Sequence, residues 1–515
     1  MRPKPRPKPR SLRPDTLLSS VAILLLVSIV QRSIGFGRGV LLCRWLQPEE
    51  LGLWEMSYGF LLLAAPLAVL GLPGCFGRYL SRFSEQGQLR MFLRRTTVWT
   101  FGVAAFFVGL IAWQAPAFAS IAFGDPVQAP LMRIVAVCLA AMITHHFLEA
   151  VFAGLRLFRV VSFMHFCQSL LFAAFSLLLV ACWRGDAASI VIGYAAACGV
   201  SILSVASWAL WRVVRKPDGQ APMRHREFWS TLMAFAIWVW VTHLLTNVFS
   251  TVDRYMILHY GGFDRTVALE MIGNYHASII VPLLLTSVAT LLAGALIPHL
   301  SRKWEVGQRH EVAERMNLTL KLTAIGMLAV GCGVLLLSPL LFGVAFEGKY
   351  NAGLQVLPWT LTACLWHAML LISQAYIWCA EKTRSATLPL IVGIASNVLL
   401  NLLLLPVWGL TGAVAATTIA TLLAYATQMG VNRLTGMHLH QGTLLLSLTP
   451  ALLLMGVVPA LIALALATWS GLARDGLFTA KEREDIWTRV DSLVGRIGIG
   501  SGGAANADTS GSPTA

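Results

Sequence analysis

The sequence predicts an all-α polytopic membrane protein: two parallel-repeat six-helix bundles plus about one extra C-terminal span, about 13 transmembrane helices within a range of 12–14. Three observations predict it. Of 515 residues, 57% are hydrophobic and 12% charged, against roughly 45–50% and about 25% in soluble proteins. Apolar runs close to the ~20 residues that cross a bilayer recur from Leu17 to Trp469, without the period-2 alternation of a membrane β-barrel. Finally, the chain resembles itself at an offset near 220 residues.

The spans are expected at Leu17–Leu42, Trp54–Gly74, Thr96–Ala115, Leu131–Ala153, Ser162–Trp183 and Ala187–Trp211. A second set runs Ser230–Thr251, Ile272–Leu296, Leu318–Phe342, Leu354–Cys379, Ala386–Leu405 and Thr411–Val431. Leu444–Trp469 follows; with Pro450, Gly456 and Pro459 it reads as one kinked span or a shallow hairpin. Residues 1–15 form a basic, proline-alternating tail that cannot be helical, and its continuation is too long and lacks the cleavage site of a signal peptide. The organisation expected is a bundle over 16–212, a linker over 213–229, a bundle over 230–433 and an extra apolar segment over 444–470. An amphipathic helix over 476–497 carries the capping-box pattern Thr479-Ala480-Lys481-Glu482 and an apolar face of Ile486, Val490, Leu493, Val494 and Ile497. Residues 498–515 have a disordered composition.

The net charge of +15 is read first as topology. With the N-terminus inside, alternate loops and the tail collect 26 Lys and Arg, including Arg82, Arg94, Arg302 and Lys321, while the opposite loops hold six. That asymmetry predicts an N-in orientation. No RNP, zinc-finger or helix-turn-helix pattern accompanies the positives, which excludes a nucleic-acid partner. The nine cysteines stand singly, without CxxC or metal spacing, and read as packing residues.

Leu80-Ser81-Arg82-Phe83-Ser84-Glu85-Gln86-Gly87-Gln88 returns as Leu300-Ser301-Arg302-Lys303-Trp304-Glu305-Val306-Gly307-Gln308, with six identities in nine. Leu51-Gly52-Leu53-Trp54 aligns with Ile272-Gly273-Asn274-Tyr275 at 221, and Ala122-Phe123 with Ala345-Phe346 at 223. Matches in one order with a slowly drifting offset indicate two homologous halves. Six spans is an even number, so the halves share orientation, an architecture with a site between them.

These residues resemble the oligosaccharide flippase (Wzx-like, polysaccharide transporter) family of the multidrug/oligosaccharidyl-lipid/polysaccharide (MOP) superfamily. The likeness rests on the first-span arginine–glycine region followed by Leu46-Gln47-Pro48-Glu49-Glu50-Leu51-Gly52, on Leu70-Gly71-Leu72-Pro73 leading to Arg78-Tyr79-Leu80-Ser81, and on Val252-Asp253-Arg254-Tyr255-Met256 with Gly273-Asn274-Tyr275. It runs over Leu17 to Arg433. The resemblance implies twelve to fourteen helices in two bundles, and rocking alternating access for a polyprenyl-diphosphate-linked oligosaccharide across the inner membrane. Membrane lipids and polysaccharide assembly proteins are the further partners considered; no cofactor is expected.

Such a substrate needs cations and hydrogen-bonding groups in a wet cavity. Arg32, beside Gln31, is the first candidate: it stands 15 residues after Leu17, about 22 Å along a helix and still within the ~30 Å core. The competing reading is an arginine snorkelling to the interface, because Arg38 and Arg44 follow. Gly35-Phe36-Gly37-Arg38-Gly39 lacks the strand and helix start of a phosphate loop, and reads instead as a place for bending or close packing. Asp253-Arg254 is expected at the outer end of span 7, as an interfacial ion pair or a gate, and His243 and Asn247 deeper on one face of it, lining a cavity or bonding between helices. His145 and Glu149, at i and i+4 beside His146, are two candidate metal ligands without a third; HExxH is absent and no metal site is assigned. Glu149 reads as the only deep carboxylate, a protonatable or paired group, and joins Asp253 as a gating or coupling candidate.

Three classes compete. A lipid-linked oligosaccharide flippase follows from the repeat, the resemblance and an arginine in span 1. A cation-coupled multidrug antiporter of the same superfamily would place acids in the cavity. A membrane glycosyltransferase or polymerase has only Glu49-Glu50 in its favour and outer loops too short for a catalytic domain, so no catalytic residue is assigned.

Overall fold

Pro48-Glu49-Glu50 is a helix-opening pattern, with proline in the first turn and acids where the helix dipole favours them. It starts the second helix six residues earlier than the expected Trp54, and this places Glu55 two turns inside the helix. In this computed structural model, residues 17–205, 223–473, 477–484 and 486–488 are described. The tail over 1–15, Arg212 at the end of the first expected bundle, Arg215 and Lys216 of the linker, the face residues Val490, Leu493, Val494 and Ile497, and residues 498–515 lie outside them.

The first half comprises α1 (Leu17–Trp45), α2 (Pro48–Val69), α3 (Phe76–Glu85), α4 (Leu89–Trp113), α5 (Ala115–Phe123), α6 (Ala129–Gly154), α7 (Phe158–Cys182) and α8 (Ala187–Val205). The second comprises α9 (His225–Tyr260), α10 (Arg265–Ile279), α11 (Pro282–Glu305), α12 (Arg309–Leu340), α13 (Asn351–Cys379) and α14 (Leu388–Leu434), followed by α15 (Gln441–Leu448) and α16 (Val457–Ala473). Among the described residues, 11 helices are long and apolar enough to cross a membrane.

The longest, α14, counts twice. Asn397 Nδ2 donates to Thr417 Oγ1 at 3.1 Å, although a straight helix would hold residues 20 apart about 30 Å away from each other. The chain reverses at Gly409, whose φ of 57° and ψ of −133° are open to glycine alone. The C-terminal apolar segment is one broken pass rather than a hairpin as far as Leu453. Thr443 Oγ1 bonds Asn317 Oδ1, and ten residues later Leu453 packs on Gly331, so the segment follows α12 in one direction.

Helix ends gather at two levels. The ends at Arg82, Arg94, Arg156, Arg302 and Arg309 form the basic end. At the other end the two halves cross. A Cβ on Gly52 of α2 would stand 2.0 Å from Leu269 O of α10, and one on Gly273 of α10 would stand 1.9 Å from Pro48 O of α2. Each glycine sits on the residue four before the other, so the contact is self-complementary, as across a two-fold axis. Two cross-links repeat that relation. Arg44 Nε lies 3.0 Å from Glu347 Oε1, while Arg265 Nη1 lies 3.8 Å from Asp125 Oδ2 and its Nε donates to Phe123 O at 3.0 Å. Arg44 and Arg265 are 221 positions apart, the offset of the repeat. A buried core of Leu46, Leu51, Trp54, Ile272, Tyr275 and Tyr350, drawn from both halves, shuts this glycine end.

Between the ends, α9 seats on α2 and on the turn after it. Gly71, at φ +72°, lets Trp240 approach, since a Cβ there would be 2.6 Å from that of Trp240. Pro66 inside α2 removes the N–H that Leu62 O would otherwise accept. Asn247 Nδ2 donates to that carbonyl at 2.7 Å.

Candidate functional site

A helix with polar groups at i, i+3, i+4 and i+7 presents them on one side. In α1 that spacing is Ser28, Gln31, Arg32 and Gly35, with Arg38 about one turn further on, and together they wall a cavity of about 530 Å³ between the two halves. Ser162, His165, Gln168 and Ser169 of α7 form a second wall, and His276 of α10 with Leu283, Leu284 and Ser287 of α11 a third. α1 is a continuous helix through its glycines. Gly35 and Gly37 have nothing within 4 Å of an added Cβ, so neither packs against a neighbour, while one on Gly39 would stand 3.6 Å from Ile280; Gly35 widens the cavity.

The two arginines are not alike. Arg32 is exposed on the cavity side. The Arg38 guanidinium lies 3.8 Å over the Phe172 ring, and its Nε is buried with no hydrogen-bond partner. A cation over an aromatic face is stabilised without being neutralised. Among the described residues no carboxylate forms an ion pair with either arginine, and none lies in the cavity wall. The wall is therefore cationic and rich in donors.

Carboxylates stand one layer back, behind histidines. His276 Nδ1 lies 2.6 Å from Glu55 Oε2, and Glu55 Oε1 lies 2.8 Å from Arg254 Nη2. Arg254 Nη1 also reaches Ser250 O and stands 3.5 Å from Asp253 Oδ1. Asp253 Oδ2 accepts from Thr417 Oγ1 at 3.2 Å, which joins it to Asn397 and, through Asn397 Oδ1, to Asn401 at 2.9 Å. In the first half, Glu149 accepts from His165 Nε2 at 2.9 Å and contacts His146 Nδ1 at 3.1 Å. One histidine in the wall from each half is thus backed by a carboxylate, buried Glu55 behind His276 and partly buried Glu149 behind His165.

Of the residues singled out in the sequence, the structure brings Gln31, Arg32 and Arg38 together at the cavity. Asp253 and Arg254 are 2% and 7% exposed, so they are a buried network and not an interfacial pair; α9 runs on to Tyr260, two turns past them. Asn247 bonds α2 instead of lining the cavity, and His243 is exposed and outside the wall. His145 bonds Ser201 Oγ at 3.2 Å, and the partners of Glu149 are His146 and His165, not His145. Glu149 is not the only deep carboxylate: Glu55 and Asp253 are both buried. Lys321, counted among the loop positives, is 1% exposed and 2.7 Å from Glu482 Oε2. Reading Pro48-Glu49-Glu50 as a helix start would have placed Glu55 at membrane depth. Nothing in the sequence signals that His276 reaches it.

Residues 17–304 match the family model described as "Polysaccharide biosynthesis protein". The chain belongs to that family. Among solved structures it is similar to one described as "Lipid II flippase MurJ, inward closed conformation", at 14% identity and a TM-score of 0.64, over 87% of this chain and 98% of that one. An inward-facing multidrug resistance MATE family transporter of the MOP superfamily matches at 14% identity and a TM-score of 0.59, over 81% and 99% of the two chains. A MOP superfamily transporter from Pyrococcus furiosus, described as having a binding pocket of reverse polarity, matches at 13% identity and 0.52, over 81% and 96%. No curated protein matches. The polysaccharide biosynthesis family member described here shares the helical fold of those structures and carries a cationic cavity between its two halves.

Proposed function

We propose that this chain flips a polyprenyl-diphosphate-linked oligosaccharide across the inner membrane for polysaccharide biosynthesis, by alternating access, with its N-terminus cytoplasmic. The observation that carries the reading is the pair of arginines, Arg32 and Arg38, facing a polar cavity with no carboxylate in its wall. A guanidinium stays charged when desolvated and offers five donors in a planar fork, which suits diphosphate oxygens. Gln31, Ser162, Gln168 and Ser169 supply hydrogen bonds for sugar hydroxyls nearby.

On this reading the basic end is cytoplasmic, by the positive-inside rule, and the glycine end is the closed outer gate. The domains over 16–212 and 230–433 rock about that gate. Glu149 and Asp253 serve gating or coupling. Glu149 acts on the cavity through His165, and Asp253 through Arg254, Glu55 and His276. The fold is equally that of a multidrug resistance MATE family transporter, but an antiporter's cation would meet uncompensated arginines in this wall, and the deep carboxylates are already engaged. A glycosyltransferase reading gains nothing, because no nucleophile–base pair faces the cavity among the described residues.

The test is reconstitution. Purified protein in liposomes is expected to translocate a lipid-linked oligosaccharide without altering it. A lengthened or cleaved glycan, or transport of organic cations instead, overturns the proposal.

A further inference from the structure

A second cationic cavity lies away from the central one. About 1370 Å³ in volume, it opens at the basic end between the start of α4 in the first half and the start of α9 in the second. Arg90, Arg94 and Arg95 line it together with His225, and no carboxylate belongs to its wall among the described residues. The Arg95 guanidinium is held 5.2 Å over the Phe228 ring, with its Nη1 buried and lacking a hydrogen-bond partner. Phe228 itself packs on Phe83 and Phe92, both at 5.8 Å between centroids, so the start of α9 is fixed on the first half and the groove is a built feature.

The chemistry of the wall changes along α4. The arginines come first; Trp99 follows, 5.2 Å from Trp229 across the groove; then come Gly102 and Val103. From Arg94 to Val103 is about 14 Å of helix. Charge, then tryptophan, then apolar wall is the order in which a phospholipid presents phosphate, interface and acyl chain. Val98, 69% exposed on the same stretch, extends the apolar part. A free phosphate would need only the first turn of this wall.

We propose that this groove binds the headgroup phosphate and upper acyl chain of an anionic phospholipid, bridging the two halves at the basic end. It goes beyond the transport reading and does not depend on which glycan is carried. A lipid seated between α4 and α9 favours the conformation in which those helices stand as they do here, and so biases the rocking equilibrium by its differential affinity.

The experiment titrates purified full-length protein with dioleoyl phosphatidylglycerol or dioleoyl phosphatidylcholine and counts bound lipid by native mass spectrometry. The anionic lipid is expected to be retained about tenfold more tightly. Arg94→Gln with Arg95→Gln should abolish most of that preference. Gly102→Leu, at a position with open space around its Cβ, should weaken retention through the chain-binding wall while leaving the fold intact. Equal retention of both lipids overturns the proposal, as does wild-type binding by both variants. Displacement by millimolar inorganic phosphate would make this a free-anion site, and displacement by polyprenyl diphosphate at equal concentration a substrate portal; either result also overturns it. None of these outcomes depends on Arg32, so failure here is separable from failure of the flippase reading.

Discussion

Gly52 and Gly273 each rest on the helix that carries the other: an added Cβ on the first would meet Leu269 O at 2.0 Å, and on the second Pro48 O at 1.9 Å. Only hydrogen fits between those backbones. Replacing either glycine by leucine is therefore incompatible with this closed gate, with an overpacking cost of about 1–3 kcal/mol or more. The expected result is a protein biased open at this end, read as raised labelling of a cysteine placed at Trp45, which is 44% exposed. Wild-type labelling would mean that the glycines do not hold the gate.

The cross-links Arg44–Glu347 and Arg265–Asp125 are half-exposed or more weakly exposed pairs, and such pairs contribute about 0.2–1 kcal/mol each. Glu347→Ala alone should thus change gate labelling by no more than a few-fold. Glu347→Ala combined with Asp125→Ala should act additively, because the two pairs share no residue. An all-or-none effect of one pair would contradict the symmetric gate.

Glu55 and Arg254 are both buried and 2.8 Å apart. Removing one partner strands a charge and should cost about 3–5 kcal/mol. Arg254→Met is expected to lose most folded protein in a thermal-stability assay, and Glu55→Gln with Arg254→Met to recover part of it. If Arg254→Met melts like the wild type, the network is not structural.

At the C-terminal segment, the capping pattern read from Thr479 and Glu482 is present: Thr479 N donates to Glu482 Oε2 at 2.7 Å, and Glu482 N to Thr479 Oγ1 at 3.3 Å. The same carboxylate holds Lys321. Lys321→Met should release residues 477–484, seen as faster hydrogen exchange there with α12 still protected; unchanged exchange would show that the segment docks without the pair.

What the sequence reveals divides along the range of the interaction. Helix positions, the repeat and the Thr479 cap are local patterns and are legible. Gly52 and Gly273 align by sequence, but that they touch is a consequence of how two copies pack. Lys321 reads as a loop cation because hydropathy cannot show a partner 161 residues away. The Asn247 bond to Leu62 O becomes predictable only once Pro66 is known to lie inside a helix. Arg32 and Arg38 are legible as arginines set within the first apolar run. The histidines that place Glu55 and Glu149 behind the cavity are not, because each pairing joins two helices whose contact no periodicity encodes.

The most direct test of the account is the flipping rate of a lipid-linked oligosaccharide in proteoliposomes carrying Arg32→Ala, Arg38→Ala or Arg32→Lys, each normalised to inserted protein. An unpaired arginine at membrane depth costs about 2.5 kcal/mol or more, so it is retained for a purpose. The account predicts that each alanine variant inserts normally and flips at under about a tenth of the wild-type rate, the loss of a charge-assisted phosphate contact, and that Arg32→Lys restores only part of it. Wild-type flipping by both alanine variants would show that the diphosphate is held elsewhere, and would contradict the central claim.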